Sequence, residues 1–376
     1  MDSGPAANAD DRPIPRVLVV IGSLIGEASR SIVRATMRGI DFLNDWLFTA
    51  KRARYGIAVT RVFVGLAAIG MLLTNFSTRY YSFGSGAAWN GEAANAVSDF
   101  PHIFIFSLFH QVMMNDGLLT TYYLVLFVLA ILVVLGWRFR LVLPVYFVLW
   151  VGFIESNDML GDQGDNMYRI VLILMLFTDA AGRWSLDARR RVNRGETFRA
   201  GGVANRLGTL AHNLAIVALA AQVILVYTSG ALFKAGGAPW QEGRGIYDPL
   251  STARFGTWPA LSDLITAWGP LVAVISLGTV FLQAAFPFML LRRGTRIIAL
   301  VGMLMFHLGI AVLMGLPWFS MIMVAVDSIF IRDRTWKSMT TRLSIAWQRT
   351  QKRPMNETLS PPSSTKNIGP QVIISE

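Results

Sequence analysis

The sequence predicts an all-α integral membrane protein, a polytopic bundle of about eight transmembrane helices. Hydrophobic residues make up 53% of the 376-residue chain, whereas charged residues make up only 15%. Soluble domains carry about 25% charged residues, so this chain is depleted in charge. Several apolar runs also approach the roughly 20 residues that a helix needs to cross a bilayer. The lipid bilayer is therefore the first predicted partner.

Apolar runs recur along the chain between residues 57 and 331. The third, fourth and last runs are short, so the count of eight requires that these three also cross the bilayer. The predicted spans lie near 57–75, 118–135, 141–155, 167–180, 207–233, 270–291, 297–315 and 317–331.

The lysines and arginines are distributed unequally between alternate connecting segments. If the N-terminus lies inside, 28 basic residues fall in inner segments and four in outer segments. Arg61 and Arg169 fall within spans and complete the total of 34. This asymmetry is what the positive-inside rule predicts, with both termini in the cytoplasm and the spans in the plasma membrane. We therefore attribute the net charge of +11 to the orientation of the chain in the membrane and not to binding of nucleic acid.

The segments that flank the spans are polar and basic. Residues 1–56 form a predicted cytoplasmic tail, in which Ser29 to Lys51 has the period of an amphipathic helix. Such a helix suits the surface of an anionic leaflet, and a solvated helix docked on the protein would give the same pattern. Residues 57–332 form the predicted transmembrane domain. Residues 333–376 form a second basic cytoplasmic tail, whose end is rich in Pro, Ser and Thr and is expected to be disordered.

The chain contains no cysteine, which excludes disulfide bonds, thiolate catalysis and cysteine-ligated metals. Its four histidines lie in separate segments without an HxxxH pair. The spacing therefore predicts no metal site.

The stretch from Tyr227 to Tyr247 places Lys234 at the outer end of the fifth apolar run, just inside the membrane boundary. A lysine there must reach the surface, pair with another group or take part in chemistry. Small residues, Gly230 among them, leave room around it for other backbone or a flat ligand, and Trp240 follows at an interfacial position. One interpretation is a snorkelling lysine. The other is a general base, whose neutral amine would take a proton from an acidic hydroxyl group.

The second outer loop, from Glu155 to Asn166, carries four carboxylates and no basic residue. Asp165 and Arg169 are four residues apart, so a helix that begins near Asp165 would place them on one face as an ion pair. That pair would neutralise an arginine at the start of a span. Alternatively, this loop, which includes Asp162, roofs a substrate cavity. A calcium site fits less well, because the regular spacing of acidic ligands is absent.

Three further polar residues, Arg61, His307 and Asp327, fall inside predicted spans. We expect each of them to face the interior of the bundle and to satisfy another polar group, because lipid offers no hydrogen-bond partner. The three residues therefore predict a bundle with a polar interior.

Three stretches of the chain carry a resemblance to a known family. They read GDQGDNMYRIVLILMLFTDAAGRWSLD from Gly161, YTSGALFKAGGAPWQEG from Tyr227, and MLMFHLGIAVLMGLPWFSMIMVAV from Met303. On these stretches, residues 57–332 resemble the HTTM (horizontally transferred transmembrane) family, whose best-known relatives are the vitamin K-dependent gamma-carboxylases. The shorter bacterial members are more similar to this chain, so the resemblance implies a bacterial protein.

The resemblance also implies a role for Lys234. The segment from Gly230 to Lys234, followed by WQEG, looks like the carboxylase segment that carries the catalytic lysine, which deprotonates reduced vitamin K. Oxygen then converts the quinol into a strong base that removes a proton from a glutamate side chain, and carbon dioxide adds to the carbanion. By this match Lys234 is the catalytic residue and a reduced quinone is the implied cofactor. The catalytic histidine of the carboxylases falls on Gly164 here, and their large luminal portion has no counterpart.

The leading interpretation is a carboxylase-like enzyme that acts with a lipid-soluble quinol or modifies an exported peptide. The alternative is a non-catalytic membrane partner in the export or maturation of a secreted peptide. A transporter is less favoured, because the sequence shows neither repeated helices nor paired broken spans. The candidate substrate-binding residues are Tyr227, Gly230, Trp240, Asp162, Asp165, Asn166, Arg169 and His307.

Overall fold

The computed structural model of this chain describes residues 16–84, 103, 112–113, 115–155, 161, 163–195 and 202–351. Within these residues every regular element is a helix, and no strand is present. The predicted all-α fold class is therefore confirmed. Numbered in chain order, the α-helices are α1 (Arg16–Phe48), α2 (Arg54–Thr74), α3 (Arg79–Phe83), α4 (Asp116–Leu135), α5 (Phe139–Ile154), α6 (Gln163–Leu176), α7 (Leu186–Asn193), α8 (Val203–Ala235), α9 (Ala238–Gln241), α10 (Tyr247–Ser251), α11 (Pro259–Thr266), α12 (Gly269–Met289), α13 (Arg293–Leu313), α14 (Pro317–Asp327) and α15 (Asp333–Gln351).

Five of the described helices, α2, α4, α8, α12 and α13, are long and apolar enough to cross a membrane. The shorter helices α5 and α14 are also apolar, and α6 contains 14 residues. Each of the eight predicted spans overlaps one of these helices. The five long helices make this a multi-pass membrane protein, whereas eight complete crossings stay a prediction, because three of the helices are short.

The N-terminal helix α1 is longer than the sequence predicted. The amphipathic period begins at Ser29, yet the helix begins at Arg16. Several apolar residues between Ile32 and Leu43 are exposed, Phe42 to 66%, and this suits a helix that lies on a membrane surface. At its C-terminal end, the side-chain amide of Asn213 in α8 donates a hydrogen bond of 3.1 Å to the carbonyl oxygen of Trp46. This end of α1 is therefore docked on the bundle.

Helix α2 is the most buried of the long helices and packs against both α4 and α14. Two of its glycines permit the close approach. The backbone at Gly65 contacts Val134 of α4, and Gly70 lies under the ring of Trp318 in α14, where a Cβ atom would overlap the ring. In lipid the hydrophobic effect does not drive apolar helices together. Close van der Waals packing at small residues therefore stabilises their association.

Arg61 of α2 is fully buried, and four backbone carbonyl groups surround its guanidinium group. It donates hydrogen bonds to the carbonyl oxygens of Val133 and Val134 at the end of α4. It also donates to those of Ala180, at 3.2 Å, and Trp184, at 2.7 Å. Carbonyl groups at helix ends lack partners inside their own helix, so one buried cation satisfies several of them. The predicted interior role of Arg61 is confirmed.

Helices α8, α12 and α13 pack side by side in the second part of the bundle. Leu282 of α12 closes against Gly302 of α13, which holds this helical hairpin together. On the outer face of α12, Val274 and Phe281 are 69% and 70% exposed. Apolar side chains exposed in this way suit contact with lipid tails.

The chain divides into two compact units, one that ends at Ile331 and one that begins at Arg332. All the apolar helices belong to the first unit. In the second unit the described element is α15, a polar helix of 19 residues. The limits predicted for the two tails and for the transmembrane domain stay predictions.

Candidate functional site

Lys234 lies one residue before the end of α8, and contacts from three parts of the chain hold its side chain. The Nζ atom donates a hydrogen bond of 2.6 Å to Oε1 of Gln283 in α12. The same nitrogen lies 5.3 Å from the ring centroid of Trp240 and 5.5 Å from that of Phe306 in α13. Lys234 is thus half-buried and held in a fixed position by an amide and two aromatic rings.

The small residues around Lys234 determine how the chain leaves α8. The helix ends before Gly236, and the next helix, α9, begins with Pro239 in its first turn, a position that suits proline. This sharp return brings Trp240 back over Lys234. Gly230 lies one turn earlier on the same face of α8, where a Cβ atom would already lie 3.6 Å from Oε1 of Gln283. A larger side chain at Gly230 would therefore meet the amide that holds the lysine.

The two helices that hold Lys234 do so with residues well inside their lengths. Gln283 is ~21 Å from the start of α12 and ~9 Å from its end, and Phe306 is ~20 Å and ~10 Å from the ends of α13. After α8 the chain folds back against α12, where the backbone N–H of Ile246 donates a 3.1 Å hydrogen bond to Ser276.

A cavity of about 530 Å³ opens beside Lys234, between α12 and α13. Among the described residues that line it, Lys234 is the only charged one, and most of the others are aliphatic or aromatic. Gly278 and Gly309 widen the cavity, since nothing lies within 4 Å of the position of a Cβ atom at either residue. Val274 and Met305 in its walls are 69% and 53% exposed, so the cavity borders the lipid-facing surface. An apolar cavity with a few polar groups is typical of a binding site for a small apolar molecule.

A second polar cluster consists of Tyr227, His307 and Asp327, which lie on α8, α13 and α14 and are all buried. The hydroxyl group of Tyr227 donates a hydrogen bond of 2.8 Å to Oδ2 of Asp327. The same oxygen lies 3.1 Å from Nε2 of His307. With the hydroxyl proton given to an ionised Asp327, the tautomer of His307 that satisfies this contact carries its proton on Nε2 and donates to Tyr227. The expectation that His307 and Asp327 satisfy another polar group inside the bundle is confirmed.

Two atoms of this cluster keep unused hydrogen-bonding capacity. Within the described part of the chain, neither Nδ1 of His307 nor Oδ1 of Asp327 has a hydrogen-bond partner. Buried polar atoms are normally paired with protein or with ordered water. Each of the two atoms is therefore able to bind a water molecule or a polar group of a ligand.

The two clusters are stacked along one face of α8. Tyr227 and Lys234 are two turns apart, which separates their Cα atoms by ~10 Å. On α12, Phe286 contacts the ring of Tyr227 at a centroid distance of 4.8 Å, one turn from Gln283 beside Lys234. The structure thus brings Gly230, Lys234 and Trp240 together beside the cavity. Tyr227 and His307 lie together two turns closer to the start of α8.

Sequence reasoning missed Gln283, the hydrogen-bond partner of Lys234. The signal was present, because an amide inside an otherwise apolar run is costly in lipid and needs a partner, as a lysine does. The missing information was which of several polar residues in different spans would meet. That pairing depends on the packing of α8 against α12, which no local pattern specifies.

The acidic loop contributes a separate group of contacts. Asp162 falls outside the described residues. Arg169 of α6 forms an ion pair with Glu155 and donates a hydrogen bond of 2.8 Å to Oδ1 of Asn166. These contacts tie the first turns of α6 to the end of α5. The expected pair between Asp165 and Arg169 and the expected roof over a cavity stay predictions.

The histidines do not form a metal centre in the part of the chain that the structure describes, which contains no group of three or more His, Cys, Asp or Glu side chains placed to hold a metal. His212 uses both ring nitrogens for structure. Its Nδ1 accepts a 3.0 Å hydrogen bond from the backbone N–H of Asp179, and its Nε2 donates one of 2.7 Å to the carbonyl oxygen of Arg52. His102 and His110 fall outside the described residues.

The comparisons with known proteins give one match. A family model described as the HTTM domain matches residues 56–336, which include the Lys234 cavity, both polar clusters and nearly all of the eight helices that overlap the predicted spans. No curated protein and no solved structure matches the chain.

Proposed function

This chain belongs to the HTTM family of membrane proteins, and on that basis we propose that it is a carboxylase-like enzyme of the plasma membrane. In this proposal Lys234 is the general base, and its substrate or cofactor is a lipid-soluble quinol. The product is a chemically modified exported peptide. The observation that carries the proposal is the pairing of Lys234 with an apolar cavity of about 530 Å³ that opens on the apolar outer surface of α12 and α13.

The cavity has the properties that a reduced quinone requires. A reduced quinone, when bound, would supply an acidic aromatic hydroxyl group and reducing equivalents. The apolar walls would hold the ring and tail, and the gaps at Gly278 and Gly309 give room for a flat group. Because the cavity borders the lipid-facing surface, such a molecule would enter from the bilayer without crossing water.

Gln283 prepares Lys234 to act as a base. Its Oε1 accepts a hydrogen bond from Nζ, which fixes the position of the nitrogen but leaves a lone pair on a neutral amine free to face the cavity. The aromatic rings of Trp240 and Phe306 lie 5.3 and 5.5 Å from the same nitrogen. Lys234 would then take a proton from a hydroxyl group in the cavity, as a positioned general base does.

Tyr227, His307 and Asp327 support this site from the N-terminal side of Lys234 on α8. Their hydrogen bonds join α8 and α13, which both contribute residues to the cavity, to α14. We also propose that the acidic loop covers a substrate cavity. The residues assigned to this cover are Asp162, Asp165, Asn166 and Arg169.

Substitution of Lys234 tests the base directly. Lys234→Arg and Lys234→Met should both abolish peptide modification, because a guanidinium group stays protonated in proteins and a thioether does not accept a proton. The measurement is mass spectrometry of the peptides secreted by cells that express each variant, with the membrane abundance of the protein measured in parallel. Lys337→Arg, which changes an exposed lysine of α15, is the matched control and should leave the product unchanged.

The outcomes separate the base from other roles of Lys234. Wild-type levels of modified peptide with Lys234→Arg would contradict the role of Lys234 as a general base. Lys234 would then be a cation with a structural role. Lys234→Met should still retain quinone after purification in lipid nanodiscs, because the apolar walls are unchanged. Loss of product with retained quinone would assign Lys234 to chemistry and not to binding.

A non-catalytic partner in export or maturation of a secreted peptide is the second candidate. The observation in its favour is Gly164, which stands where the carboxylases have their catalytic histidine. In that case deletion of the gene should change the amount of a secreted peptide without changing its mass. The same mass spectrometry therefore decides between the two functions.

A further inference from the structure

A second large cavity lies far from Lys234, and its character is opposite to that of the first. Its volume is about 650 Å³, and it is formed where the beginnings of α2 and α5 meet α7 and the turn after α6. The described lining contains eight basic residues and two carboxylates, which leaves an excess of six positive charges. The basic lining residues are Lys51, Arg54, Arg138, Arg140, Arg183, Arg190, Arg191 and Arg194.

The two carboxylates of this cavity are themselves engaged. Asp187 accepts hydrogen bonds of 2.9 and 2.8 Å from the backbone N–H groups of Arg138 and Phe139, where it caps the start of α5. Asp179 forms ion pairs of 3.1 Å with Lys51 and 3.9 Å with Arg54, and Asp187 also lies 3.9 Å from Arg190. Neither carboxylate is available to neutralise the whole group of arginines. Like charges that converge on one concave surface repel each other, so an anion in the cavity would lower the energy of the folded state.

Several of these arginines are held in place by the surrounding structure. The guanidinium groups of Arg138 and Arg190 lie 5.5 and 5.7 Å from the ring of Trp137. Arg191 donates a hydrogen bond of 2.8 Å to the carbonyl oxygen of Ala181. Positioned guanidinium groups present paired donors, the geometry that phosphate oxygens favour. The cavity is therefore a formed site and not a set of freely moving surface charges.

The basic cavity and the Lys234 cavity lie toward opposite ends of α8. His212 contacts Asp179, a lining residue of the basic cavity, and it precedes Lys234 by 22 residues, or ~33 Å along the helix. That length is close to the ~30 Å of the hydrocarbon core. By the positive-inside rule, the basic cavity is on the cytoplasmic side, where the leaflet contains anionic lipids.

An adjoining cavity of about 300 Å³ indicates which kind of anion would fit. It shares Lys51, Arg140 and Asp179 with the basic cavity, and its other walls include Leu143, Leu176 and further apolar side chains. Phe177, another of its lining residues, is 57% exposed on the outer surface of the bundle. The combined space thus passes from strongly basic to apolar. A molecule with a phosphate group and a hydrocarbon tail matches both parts.

We propose that this pair of cavities binds an anionic phospholipid, with its headgroup phosphate among the arginines and an acyl chain beside Leu143 and Leu176. The site would anchor the cytoplasmic ends of α2, α5 and α6 to the inner leaflet. It is independent of the chemistry at Lys234. The ligand group is a phosphate ester, and a soluble phosphate ester is the other possible source of the same group.

The test compares lipid binding to the purified full-length protein by native mass spectrometry. The probes are phosphatidylglycerol, phosphatidylcholine with the same acyl chains, and glycerol 3-phosphate. Wild-type protein should retain phosphatidylglycerol in preference to the other two. The triple variant Arg140→Gln, Arg183→Gln, Arg190→Gln should weaken phosphatidylglycerol binding by roughly 100-fold, at about fivefold for each charge removed.

A matched control removes the same number of charges elsewhere on the same predicted side. Arg206→Gln, Arg292→Gln, Arg293→Gln changes three exposed arginines outside the cavity and should preserve wild-type binding. If both triple variants lose the lipid equally, attraction is diffuse and the site is refuted. Equal binding of glycerol 3-phosphate and phosphatidylglycerol by the wild type would assign the cavity to a soluble phosphate ester and overturn the lipid.

A second variant tests the same site in case the triple variant does not fold. Ala188 lines the basic cavity three residues after Ser185, whose hydroxyl group caps the start of α7. Glutamate at this position completes a capping box and favours the helix, while it adds a negative charge to the cavity. Ala188→Glu should therefore keep the thermal stability of the lipid-free protein and lose phosphatidylglycerol. Undiminished lipid binding by a folded Ala188→Glu protein would contradict the proposal.

Discussion

At the scale of single residues, the polar side chains inside the membrane helices have specific partners. Arg61 satisfies carbonyl groups from three segments, and Lys234 is bound by Gln283. Tyr227 joins His307 to Asp327. Because lipid cannot replace a lost hydrogen-bond partner, each of these contacts constrains which helices pack together. Polar residues in the spans therefore specify the arrangement of the bundle as well as any chemistry.

Tyr227→Phe should destabilise the protein measurably. The substitution keeps the ring but leaves Nε2 of His307 and Oδ2 of Asp327 without their described partner, and each buried unsatisfied group costs about 1–3 kcal/mol. The midpoint of thermal unfolding in detergent should fall. Tyr81→Phe removes the same hydroxyl group from a tyrosine that is 62% exposed and serves as the control. Equal midpoints for the two variants would mean that the cluster contributes nothing to stability.

At the scale of elements, the hairpin of α12 and α13 forms the walls of the Lys234 cavity. Leu282 and Gly302 close the two helices in one place, and the absence of side chains at Gly278 and Gly309 leaves an open groove in another. A segment after α8 covers the end of this groove with Trp240 and Leu250. The position of glycine along the two helices thus separates the packed part of the hairpin from the hollow part.

Gly278→Leu should fill the groove and abolish quinone binding without unfolding the hairpin. A leucine side chain points into space that is empty of neighbouring atoms, and leucine favours a helix more than glycine does. Binding of a short-chain naphthoquinone to the purified protein, measured by equilibrium dialysis, should be lost. Gly294→Leu places the same side chain in open space near the start of α13, outside the cavity, and should bind normally. Normal binding by Gly278→Leu would place the quinone elsewhere.

At the scale of the whole molecule, two cavities of opposite character lie toward opposite ends of the bundle. The basic cavity is lined by residues between 51 and 194, and the apolar cavity by residues between 234 and 314. This polarity agrees with the unequal distribution of lysine and arginine along the chain. Membrane insertion with the basic end inside would then direct the Lys234 cavity toward the outer half of the bilayer.

Single cysteines test this orientation, because the native chain has none. Ser251→Cys, at the end of α10, should react with a membrane-impermeant thiol reagent in intact cells. Asn193→Cys, at the end of α7, should react only after the cells are opened. Both positions are exposed in the structure, so accessibility of the side chain is matched. Labelling of Asn193→Cys in intact cells would mean that the chain has the opposite orientation or that the eight-span topology is wrong.

The sequence by itself determined the fold class, the positions of the apolar helices and the presence of Lys234, Tyr227 and His307 as polar residues in or beside predicted spans. These properties are local, because apolar run length and the period of side chains along a helix are read directly from the chain. The pairing of Lys234 with Gln283 and the formation of the basic cavity were decided only by tertiary structure. Each depends on which residues meet across helices that are distant in sequence. A polar residue in a span requires a partner, but the packing of glycines and ring systems between helices selects which partner it receives.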